Sequence, residues 1–570
     1  MNARAPIFAP RSPSYRDLQP LKSEVFDLIV IGGGITGASI LRDASLRGLN
    51  AVLLERGDYA SGTTQATSKL IHGGLRYLKN GEISLVRESL RERRTLARLA
   101  PHALRPEAFL FPVYSDRGIG RLKMGAALTA YDLLGFDRNR GVDAEHRLPG
   151  SRFLDAGATL AEEPGLDFRR LSGSYLYYDY ANLNPERLCV EMILSARERG
   201  AIARNYTEVR RIARRADGGY EARVTDRRTG QHGVVRGRAV VNAGGPWADY
   251  LEGLVSGRPF GRKSIRRSKG VHLVTRRCIQ NKTVVLMKAD QTHLFMIPWR
   301  GRTLIGTTDT AFDEHPDRMR VTTDDARQVL SQVNALFPGA KLELNRDVEY
   351  FYGGLRPLLA GEAGQSSYDA SRRMEILHLG DDRRSGQSEG FAGFFTVLGG
   401  KYTTGRRLAE ALIDRVCDYL PGKFGEARSH RVGLPAGEFS TLTELSEKLE
   451  RKFSGADPRK IRVLARRYGA VAERILDLAS PSHADSGAVY RLGNGEVYYP
   501  EEIDYLVANE DVETASDLFF RRSGIGTVGP APETVSRAII DRMGKRLGWG
   551  RREKRGALQE IAARYRFPKN

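Results

Sequence analysis

The stretch FDLIVIGGGITGASILRDASLRGLNAVLLE, which runs from Phe26 to Glu55, decides the fold. It consists of an apolar run, three glycines, a helical segment that closes near Gly48, and a second apolar run that ends in an acid. This order within about 30 residues predicts a strand, a glycine turn, a helix and a second strand, which together form one βαβ unit. Such a unit predicts an α/β protein that contains a Rossmann-like domain.

Each glycine of the G-x-G-x-x-G pattern has its own task. Gly32 permits the tight turn, Gly34 lets the backbone approach a pyrophosphate, and Gly37 lets the helix pack closely on the strand. The amino end of the helix then faces the anion. Glu55 ends the second strand and is expected to accept the ribose hydroxyls. The stretch therefore predicts a dinucleotide site, and a chance glycine turn is the alternative.

The residues after Glu55 bear on which dinucleotide binds. Arg56 favours the 2′-phosphate of NADP, but the next segment, SGTTQATSKLIHGGLRYL from Ser61 to Leu78, does not look like a second βαβ repeat of a nicotinamide enzyme. Its small hydroxyl residues and backbone amides suit a second phosphate contact and the polar rim of a flavin. We therefore expect FAD, with cofactor contacts from Thr63, Thr64, Ser68 and His72.

Two further glycine turns follow apolar runs much later in the chain. One is VVNAGGPW, which contains Gly244, and the other is FTVLGGKYTT, which contains Gly400 and Thr403. Ligands of open parallel sheets bind at the carboxyl ends of the strands, so these turns are expected to converge with the first turn on one cofactor. The cofactor domain is then discontinuous.

The expected fold is α/β, or α+β overall, with three units after an N-terminal arm. Strand-like pieces around Phe295 favour a sheet-based cap, and the pattern at Thr441 to Glu444, followed by leucines at helical spacing, predicts a helical C-terminal domain. The expected units are a flexible arm (1–23), an FAD-binding Rossmann-like domain (24–100, 200–255 and 395–420), a substrate-binding cap domain (101–199 and 256–394) and a C-terminal helical domain (435–570).

Composition limits the classes of function. Among 570 residues, 41% are apolar and 28% charged, which is typical of a soluble globular protein, and no run approaches the roughly 20 apolar residues of a membrane span. Three widely spaced cysteines exclude a disulfide framework and a cysteine zinc site, so a cytoplasmic protein without metal is expected. Lys+Arg 90 minus Asp+Glu 69 gives a net charge of +21, which predicts an anionic partner: nucleic acid, a lipid surface or an acidic substrate.

Taken together, these segments resemble the FAD-dependent glycerol-3-phosphate dehydrogenases. The likeness covers the ordered segments IGGGITGA, TSKLIHGGLRYL, NAGGPW, KGVHLV, GTTD, GGLRPL and GGKYTT, and it continues from Asp504 to Arg522. It implies oxidation of sn-glycerol 3-phosphate to dihydroxyacetone phosphate by hydride transfer to FAD, with electrons passed to a membrane quinone. The alternatives are a glycerol-3-phosphate oxidase that reduces oxygen to hydrogen peroxide, and an amine or amino-acid oxidase of the same fold class.

The resemblance also implies site residues. His272 is the expected proton acceptor, and Arg356 is expected beside it, where it would stabilise a developing alkoxide or handle the hydroxyl itself. The expected substrate-binding residues are Arg76, Tyr77, Arg372 and Lys401. The alternatives are that His272 is a structural histidine and that the arginines are solvated surface residues. Because no cysteine lies near Gly400, FAD is expected to bind noncovalently.

Two departures from the family pattern put the substrate in doubt. The segment from Asn182 to Glu186 has a displaced acid and a proline, and Gly405 replaces the aromatic residue that commonly follows GGKYTT. Two basic runs, 254–289 and 542–569, favour a peripheral enzyme on the anionic inner face of the cell membrane, although a solvated face is the alternative. No motif predicts specific nucleic-acid binding, and a homodimer stays open.

Overall fold

Two large β-sheets and a C-terminal group of helices build the protein. The computed structural model describes residues 15–116, 118–256, 265–288, 290–359, 374–381, 391–478 and 489–568. The strands are β1 (Val25–Ile31), β2 (Ala51–Leu54), β3 (Leu70–Ile71), β4 (Leu104–Tyr114), β5 (Arg152–Leu154), β6 (Leu171–Asn182), β7 (Ile202–Arg204), β8 (Thr207–Arg214), β9 (Tyr220–Asp226), β10 (His232–Asn242), β11 (Ile265–Arg276), β12 (Thr283–Met287), β13 (His293–Trp299), β14 (Arg302–Gly306), β15 (Thr310–Ala311), β16 (Val348–Leu359), β17 (Met374–His378), β18 (Phe394–Gly399), β19 (Tyr490–Arg491) and β20 (Val497–Tyr498).

The helices lie between and after these strands. They are α1 (Gln19–Lys22), α2 (Ile35–Leu46), α3 (Ile83–Leu99), α4 (Arg121–Leu134), α5 (Ala156–Glu162), α6 (Pro185–Arg197), α7 (Ala248–Ser256), α8 (Thr323–Leu336), α9 (Leu344–Asp347), α10 (Gly405–Tyr419), α11 (Leu442–Lys452), α12 (Pro458–Tyr468), α13 (Ala472–Asp477), α14 (Pro500–Asn509), α15 (Glu533–Leu547) and α16 (Arg551–Ala563). Among the described residues, every helix is too short or too polar to span a lipid bilayer.

The first sheet has eight strands with a parallel core. Its strand order is β17-β18-β10-β1-β2-β7, and the antiparallel pair β8-β9 is attached at β10. The apolar run of β1 is buried on both faces, since Leu28 and Val30 pack under α2 and α6 while Phe26 and Ile29 pack toward β8 and β9. A strand covered on both sides reads as a continuous apolar run, which is the pattern that predicted this strand.

The second sheet has ten strands in the order β15-β11-β14-β13-β12-β4-β6-β3, with β16 paired to β11 and β5 to β6. Its side chains alternate between two environments. On one face Val271 and Leu273 of β11 pack against Val329 and Val333 of α8. Because neighbouring residues of a strand point to opposite faces, His272 between them points away from α8. That opposite face carries the candidate site.

Two elements from the expected cap segments lie with the first sheet instead. Helix α6 packs on α2, with Val190 and Ile193 in the core beneath the parallel strands, and β17 pairs antiparallel with β18. The first sheet and the helices packed on it therefore extend across the domain limits predicted at residues 199 and 394. The physical reason is that α6 is buried on nearly every side, including its charged residues Glu186, Arg187 and Glu191, so it lies between layers and cannot belong to a peripheral cap.

The expected flexible arm is packed from residue 15 onward. Tyr15, Leu18 and Leu21 are buried, and Leu18 and Leu21 contact the core of the first sheet. Arg16 forms ion pairs with Asp226 at 3.1 Å and with a glutamate of the C-terminal domain at 2.9 Å. The sequence analysis missed this packing because the partners are far away in the chain. Residues 1–14 lie outside the described part of the chain.

The C-terminal helices are joined to the first sheet by buried ion pairs. Arg521 and Arg522 both contact Asp58, at 2.6 and 2.8 Å, and Arg187 of α6 contacts Glu510 at 2.7 Å. Burial alone would raise the pKa of Asp58, but the guanidinium groups of Arg522 and Arg521 lower it below its usual value. As predicted, α11 begins after Thr441, whose side chain accepts a hydrogen bond from the helix's third residue.

Candidate functional site

Three glycine turns share one edge of the first sheet. Strands β18, β10 and β1 are neighbours and run parallel, with Ile31 paired to Asn242 and Asn242 paired to Thr396. Parallel neighbours end on the same side, so the turns at Gly32, Gly244 and Gly400 meet there. We call this the glycine edge. The convergence of three segments that lie hundreds of residues apart is the arrangement expected from the sequence.

The first turn requires glycine at two of its positions. Gly32 has a φ of +112°, and a Cβ there would lie 2.6 Å from the carbonyl oxygen of Ala243. A Cβ at Gly37 would lie 1.9 Å from the carbonyl oxygen of Gly32, so close packing of α2 on β1 excludes any side chain. The tight turn at the amino end of the 12-residue α2 fits a pyrophosphate group.

Thr64 brings the next loop to this turn. Its Oγ1 atom accepts a hydrogen bond from the backbone N–H of Ile35 at 3.0 Å, and it would lie 3.2 Å from a Cβ at Gly34. Thr64 is buried, so this contact at the start of α2 is shielded from water. The predicted role of Thr64 beside the phosphates agrees with this position, although the bond was not foreseen.

Glu55 lies at the end of β2, directly beside the glycine turn. Its two carboxylate oxygens accept hydrogen bonds from the N–H groups of Gly33 at 2.6 Å and Gly57 at 2.7 Å. Burial raises the pKa of Glu55, while the two N–H groups act in the opposite direction. Glu55 therefore fixes the turn in addition to the ribose role predicted for it.

The loop of residues 61–72 crosses from the glycine edge to the second sheet. Thr63 donates a hydrogen bond to the carbonyl oxygen of Leu355 at 2.6 Å, and a Cβ at Gly354 would lie 2.5 Å from the Cβ of Ala66. Ser68 Oγ lies 2.9 Å from Nε2 of His272. The loop thus covers the face of the second sheet that points away from α8.

His272 is buried on this face, with a side chain exposed by only 1%. Its ring stacks on Tyr352 at 4.9 Å between centroids, and Tyr352 donates a hydrogen bond to the carbonyl oxygen of Thr67 at 2.8 Å. Burial lowers the pKa of His272 well below its usual value, and the charges of Arg356 and Lys69 lower it further. Its Nδ1 atom has no hydrogen-bond partner among the described residues. A neutral imidazole with an available nitrogen is suited to accept a proton.

Arg356 lies on the same face, along the strand neighbouring that of His272. Its guanidinium donates to Ser268 Oγ at 3.1 Å and to Thr307 Oγ1 at 2.7 Å, and it lies 3.8 Å from Asp309. A Cβ at Gly270 would lie 2.3 Å from Nη2 of Arg356, so that glycine provides the space for the guanidinium. Asp309 therefore faces Arg356.

A second group of polar residues lies where the turn after β18 meets the loop. Arg76 donates a hydrogen bond to the Tyr77 hydroxyl at 3.0 Å, and Nζ of Lys401 lies 4.2 Å from the Tyr77 ring centre. Burial, together with the charges of Lys401 and Arg76, lowers the pKa of His72 to about 3. Burial, together with Arg76 and His72, lowers the pKa of His293 to about 3 as well. We call Arg76, Lys401, Tyr77, His72 and His293 the cation group. Both histidines are neutral at pH 7, and the neighbouring charges that act on them are positive.

Several residues of this region escaped the sequence analysis. Lys69 is buried beside His272, 5.2 Å from the ring of Tyr352, and forms an ion pair with Glu186. Glu186 belongs to the segment from Asn182 to Glu186 that departs from the family pattern, so the displaced acid has a partner in the loop of residues 61–72. Tyr352 precedes the motif GGLRPL by one position and Lys69 lies inside TSKLIHGG, so both could have been found from the motifs.

The remaining predicted residues differ in what the structure says of them. Gly405 begins α10, and a Cβ there would lie 3.4 Å from Ile35, which agrees with close packing of α10 on α2. Thr403 is buried at the same turn. Arg372 lies outside the described residues. Cys189 lies 3.6 Å from the carbonyl oxygen of Gly33, but burial raises the pKa of its thiol far above the usual value, which makes it unreactive.

Comparisons with known proteins cover nearly the whole chain. The model of the family described as FAD dependent oxidoreductase matches residues 27–399, and that of the C-terminal domain of alpha-glycerophosphate oxidase matches residues 427–554. Glycerol-3-phosphate dehydrogenase 2 of Mycobacterium tuberculosis is 33% identical over 533 residues, which cover 93% of this chain and 86% of that protein. Aerobic glycerol-3-phosphate dehydrogenase of Bacillus subtilis is 30% identical and covers 95% of this chain and 94% of that protein.

One solved structure is similar along its full length. The X-ray structure of the glycerol-3-phosphate dehydrogenase from Bacillus halodurans complexed with FAD superposes with a TM-score of 0.73 at 27% identity, and covers 97% of each chain. The match therefore includes both sheets and the C-terminal helices.

Proposed function

Because the chain belongs to the family of FAD-dependent glycerol-3-phosphate dehydrogenases, we propose that it oxidises sn-glycerol 3-phosphate to dihydroxyacetone phosphate and passes the electrons to a membrane quinone. The comparisons confirm the family, the fold class and the FAD cofactor that the sequence motifs predicted. The observation that carries the substrate proposal is the cation group, a set of positive charges and neutral histidines gathered where the glycine edge meets the loop.

FAD supplies a hydride acceptor at the glycine edge. The turn from Gly32 to Gly37 would hold its pyrophosphate, Glu55 its ribose, and the loop around Thr64 its central part, while His72 would lie at the flavin rim. The buried thiol of Cys189 supports noncovalent binding. Glycine at positions 32 and 37, where a Cβ would collide with backbone atoms, allows the tight turn at the amino end of α2, and this turn is the feature that fits the cofactor.

The charged residues would bind the phosphate of the substrate. Arg76 and Lys401 supply donors from the cation group, and Arg372 is proposed as a further one. Burial lowers the pKa of Lys401, but Tyr77 acts in the opposite direction. An ammonium or guanidinium in a site shielded from water binds a phosphate dianion far more strongly than in bulk solvent, because the local dielectric is low. Uncharged glycerol would not gain this energy.

His272 would accept the proton of the substrate hydroxyl. With the ring proton on Nε2 donated to Ser68 Oγ, the lone pair of Nδ1 is available. Arg356 would stabilise the alkoxide that develops as the hydride leaves carbon 2. The alternative is that Arg356 handles the hydroxyl proton in place of His272. The stack on Tyr352 holds the imidazole plane, so Tyr352 is a positioning residue.

The test is anaerobic mixing of the purified holoenzyme with glycerol 3-phosphate while the absorption band of oxidised flavin is monitored. We expect rapid bleaching, and a band that persists would reject the substrate. A quinone analogue or air is then admitted: fast reoxidation by the quinone with little hydrogen peroxide supports the dehydrogenase, and stoichiometric peroxide would establish the oxidase instead. The variant His272→Gln should keep the FAD spectrum and bleach about 10²- to 10⁴-fold more slowly.

Helix α4 supports the proposed contact with a membrane. Leu122, Leu133 and Phe136 are exposed by 88, 69 and 76%, and they follow one side of the helix and its end. The exposed cations Arg121 and Lys123 flank Leu122. Apolar side chains beside cations suit the headgroup region of an anionic bilayer. The inner side of the same helix carries Tyr131, whose hydroxyl accepts a hydrogen bond from the N–H of Gly73 at 2.9 Å, so membrane contact would lie close to the site that delivers electrons.

Flotation with anionic liposomes tests this contact. The wild type should float at low salt, and Leu122→Ser with Phe136→Ser should reduce the bound fraction severalfold. Leu478→Ser is a matched control, because Leu478 is exposed by 41% on the C-terminal domain and should leave flotation unchanged. A wild type that stays at the bottom of the gradient at low salt would overturn the proposed membrane association.

A further inference from the structure

A cavity of about 670 Å³ separates the second sheet from the C-terminal domain. Its walls come from the end of β6 and the start of α6, from the turn after β13, from α12 and from the β19–β20 hairpin. None of the residues assigned above to FAD or to the substrate lines it. The volume lies in the range of small-molecule sites, which is about 300–1,000 Å³.

The lining of this cavity is strongly basic. Eight arginines and three carboxylates line it, so positive charges exceed negative ones by five. The arginines are Arg105, Arg187, Arg300, Arg459, Arg466, Arg467, Arg491 and Arg522, and the carboxylates are Glu191, Asp457 and Glu496. A concave surface of one sign concentrates oppositely charged ligands.

Five of the eight arginines already have carboxylate partners. Arg187 contacts Glu510, Arg522 contacts Asp58, and the others contact their own glutamates within 4 Å. These pairs hold the walls together, so their charges are largely neutralised. They are part of the structure of the cavity and leave little capacity for a ligand.

The other three arginines, Arg459, Arg466 and Arg491, are exposed, and none takes part in an ion pair among the described residues. Arg459 and Arg466 are seven residues apart on α12, which places them two turns apart on one face of the helix. Arg491 lies on the hairpin across from them. Three guanidinium groups around one opening favour a ligand with at least two negative charges, as a phosphate ester has.

The interior between the walls is apolar and aromatic. The part of this lining that water reaches comes from Val463, Val489 and Val497, while Trp299, Tyr468 and Tyr498 behind it are buried. A free inorganic anion would leave this surface in contact with water. A ligand with an apolar or aromatic body would cover it and gain the corresponding hydrophobic free energy.

We propose that this cavity is a second ligand site, which binds a phosphorylated small molecule with an apolar or aromatic body. The phosphate groups contact Arg459, Arg466 and Arg491, and the body lies against Val463 and Val497. Because the walls belong to the second sheet, to α6 and to the C-terminal domain, the ligand bridges parts of the chain that are far apart in sequence. Its binding therefore stabilises the folded protein.

The test uses trinitrophenyl-ATP as a fluorescent probe on the anaerobic holoenzyme with excess glycerol 3-phosphate, so that the FAD and substrate sites are occupied. We expect saturable binding of one probe per chain. The double variant Arg466→Gln with Arg491→Gln should raise the probe's dissociation constant at least tenfold. The control Arg555→Gln removes an exposed arginine of α16 and should leave it unchanged.

Two further measurements separate the charge from the apolar contact. Unlabelled ATP should raise the thermal unfolding midpoint of the wild type and the control, but not that of the double variant. Inorganic tripolyphosphate, which has no apolar body, should displace the probe only at severalfold higher concentration than ATP. Absence of saturable probe binding, or equal binding by the double variant and the control, would overturn the site. Equal displacement by tripolyphosphate and ATP would overturn the apolar part.

Discussion

Two regions of the molecule hold cationic side chains in different electrostatic surroundings. Between the first sheet and the C-terminal domain, Arg521 and Arg522 share Asp58, and their pKa values are raised although burial alone would lower them. In the cation group, Arg76 and Lys401 act on histidines whose pKa values fall to about 3. One region pairs its guanidinium groups with a shared carboxylate, while in the other the cations lower the pKa values of neighbouring histidines.

The difference separates structure from recognition. A buried ion pair costs desolvation on both sides, and it holds a geometry because either charge alone would be left uncompensated. A site that must bind a phosphate needs the reverse, positive charges that the substrate itself completes. The neutral histidines belong to the phosphate-binding arrangement, because protonated histidines would repel the cations that bind the phosphate. The same chemistry of arginine thus serves two purposes.

The largest effect is expected at the domain interface. Asp58→Asn leaves Arg521 and Arg522 buried without their shared carboxylate, which should lower the free energy of unfolding by about 3–5 kcal/mol. Urea denaturation of the holoenzyme measures it. Asp317→Asn is the control, because Asp317 is half exposed beside Arg56 and should cost less than about 1 kcal/mol. Equal losses in the two variants would break the comparison.

The next largest effect is expected in the cation group. Lys401→Met removes a charge without filling its place with another polar group, so kcat/KM for glycerol 3-phosphate should fall about 10- to 100-fold, since hydrogen bonds to charged groups contribute about 1.5–3 kcal/mol. The unfolding free energy should change little or rise. Steady-state kinetics with a quinone analogue measure kcat/KM, and parallel urea denaturation measures the unfolding free energy. A variant that loses stability and keeps its kcat/KM would show that Lys401 is structural.

The histidines with lowered pKa values give a smaller, pH-dependent effect. The pKa of His293 falls from about 6.5 in the unfolded chain to about 3 in the folded protein, so below pH 6.5 the unfolded chain binds the extra proton. Stability from this group is complete above pH 6.5 and is lost as the pH falls, by about 1.4 kcal/mol per pH unit. His293→Gln should flatten this slope between pH 6.5 and 5. An unchanged slope of urea midpoint against pH would contradict it.

The smallest effect concerns a neutral hydrogen bond. Thr64→Val removes the acceptor of the Ile35 N–H at the start of α2, which should weaken FAD binding by about 1 kcal/mol, or roughly fivefold. FAD release on dilution, followed by flavin fluorescence, measures it. Thr67→Val is a suitable control on the same loop, since among the described residues its hydroxyl bonds only to the local N–H of Lys69, at 3.3 Å. Equal weakening in both variants would assign the effect to the loop in general.

The local features of the fold were predictable from the sequence. The glycine pattern from Gly32 to Gly37 predicted the turn because the conformation of each position depends on neighbours within a few residues. The convergence of the turns at Gly244 and Gly400 followed from the rule that parallel strands end on one side. The family resemblance predicted Arg356 beside His272, and in the structure the two lie on β16 and β11, which pair with each other.

The long-range polar contacts were not predictable in the same way. Asp58 and Arg522 are 464 residues apart, and nothing near either one indicates the other. The acid-free run 254–289 was interpreted as a basic surface, yet Arg267 and Lys269 in it form ion pairs with Asp249 and Asp325. Local charge balance therefore says little about which arginines are neutralised. That distinction needs the folded chain, and it is the one on which the two regions differ.

The most direct test of this account compares flavin reduction by glycerol 3-phosphate and by glycerol, under anaerobic conditions, in the wild type and in Lys401→Met. If the cation group selects the phosphate, the wild type should reduce far faster with glycerol 3-phosphate than with glycerol, and the variant should lose most of that preference while its rate with glycerol stays the same. A preference that is absent in the wild type, or that survives in the variant undiminished, would contradict the account.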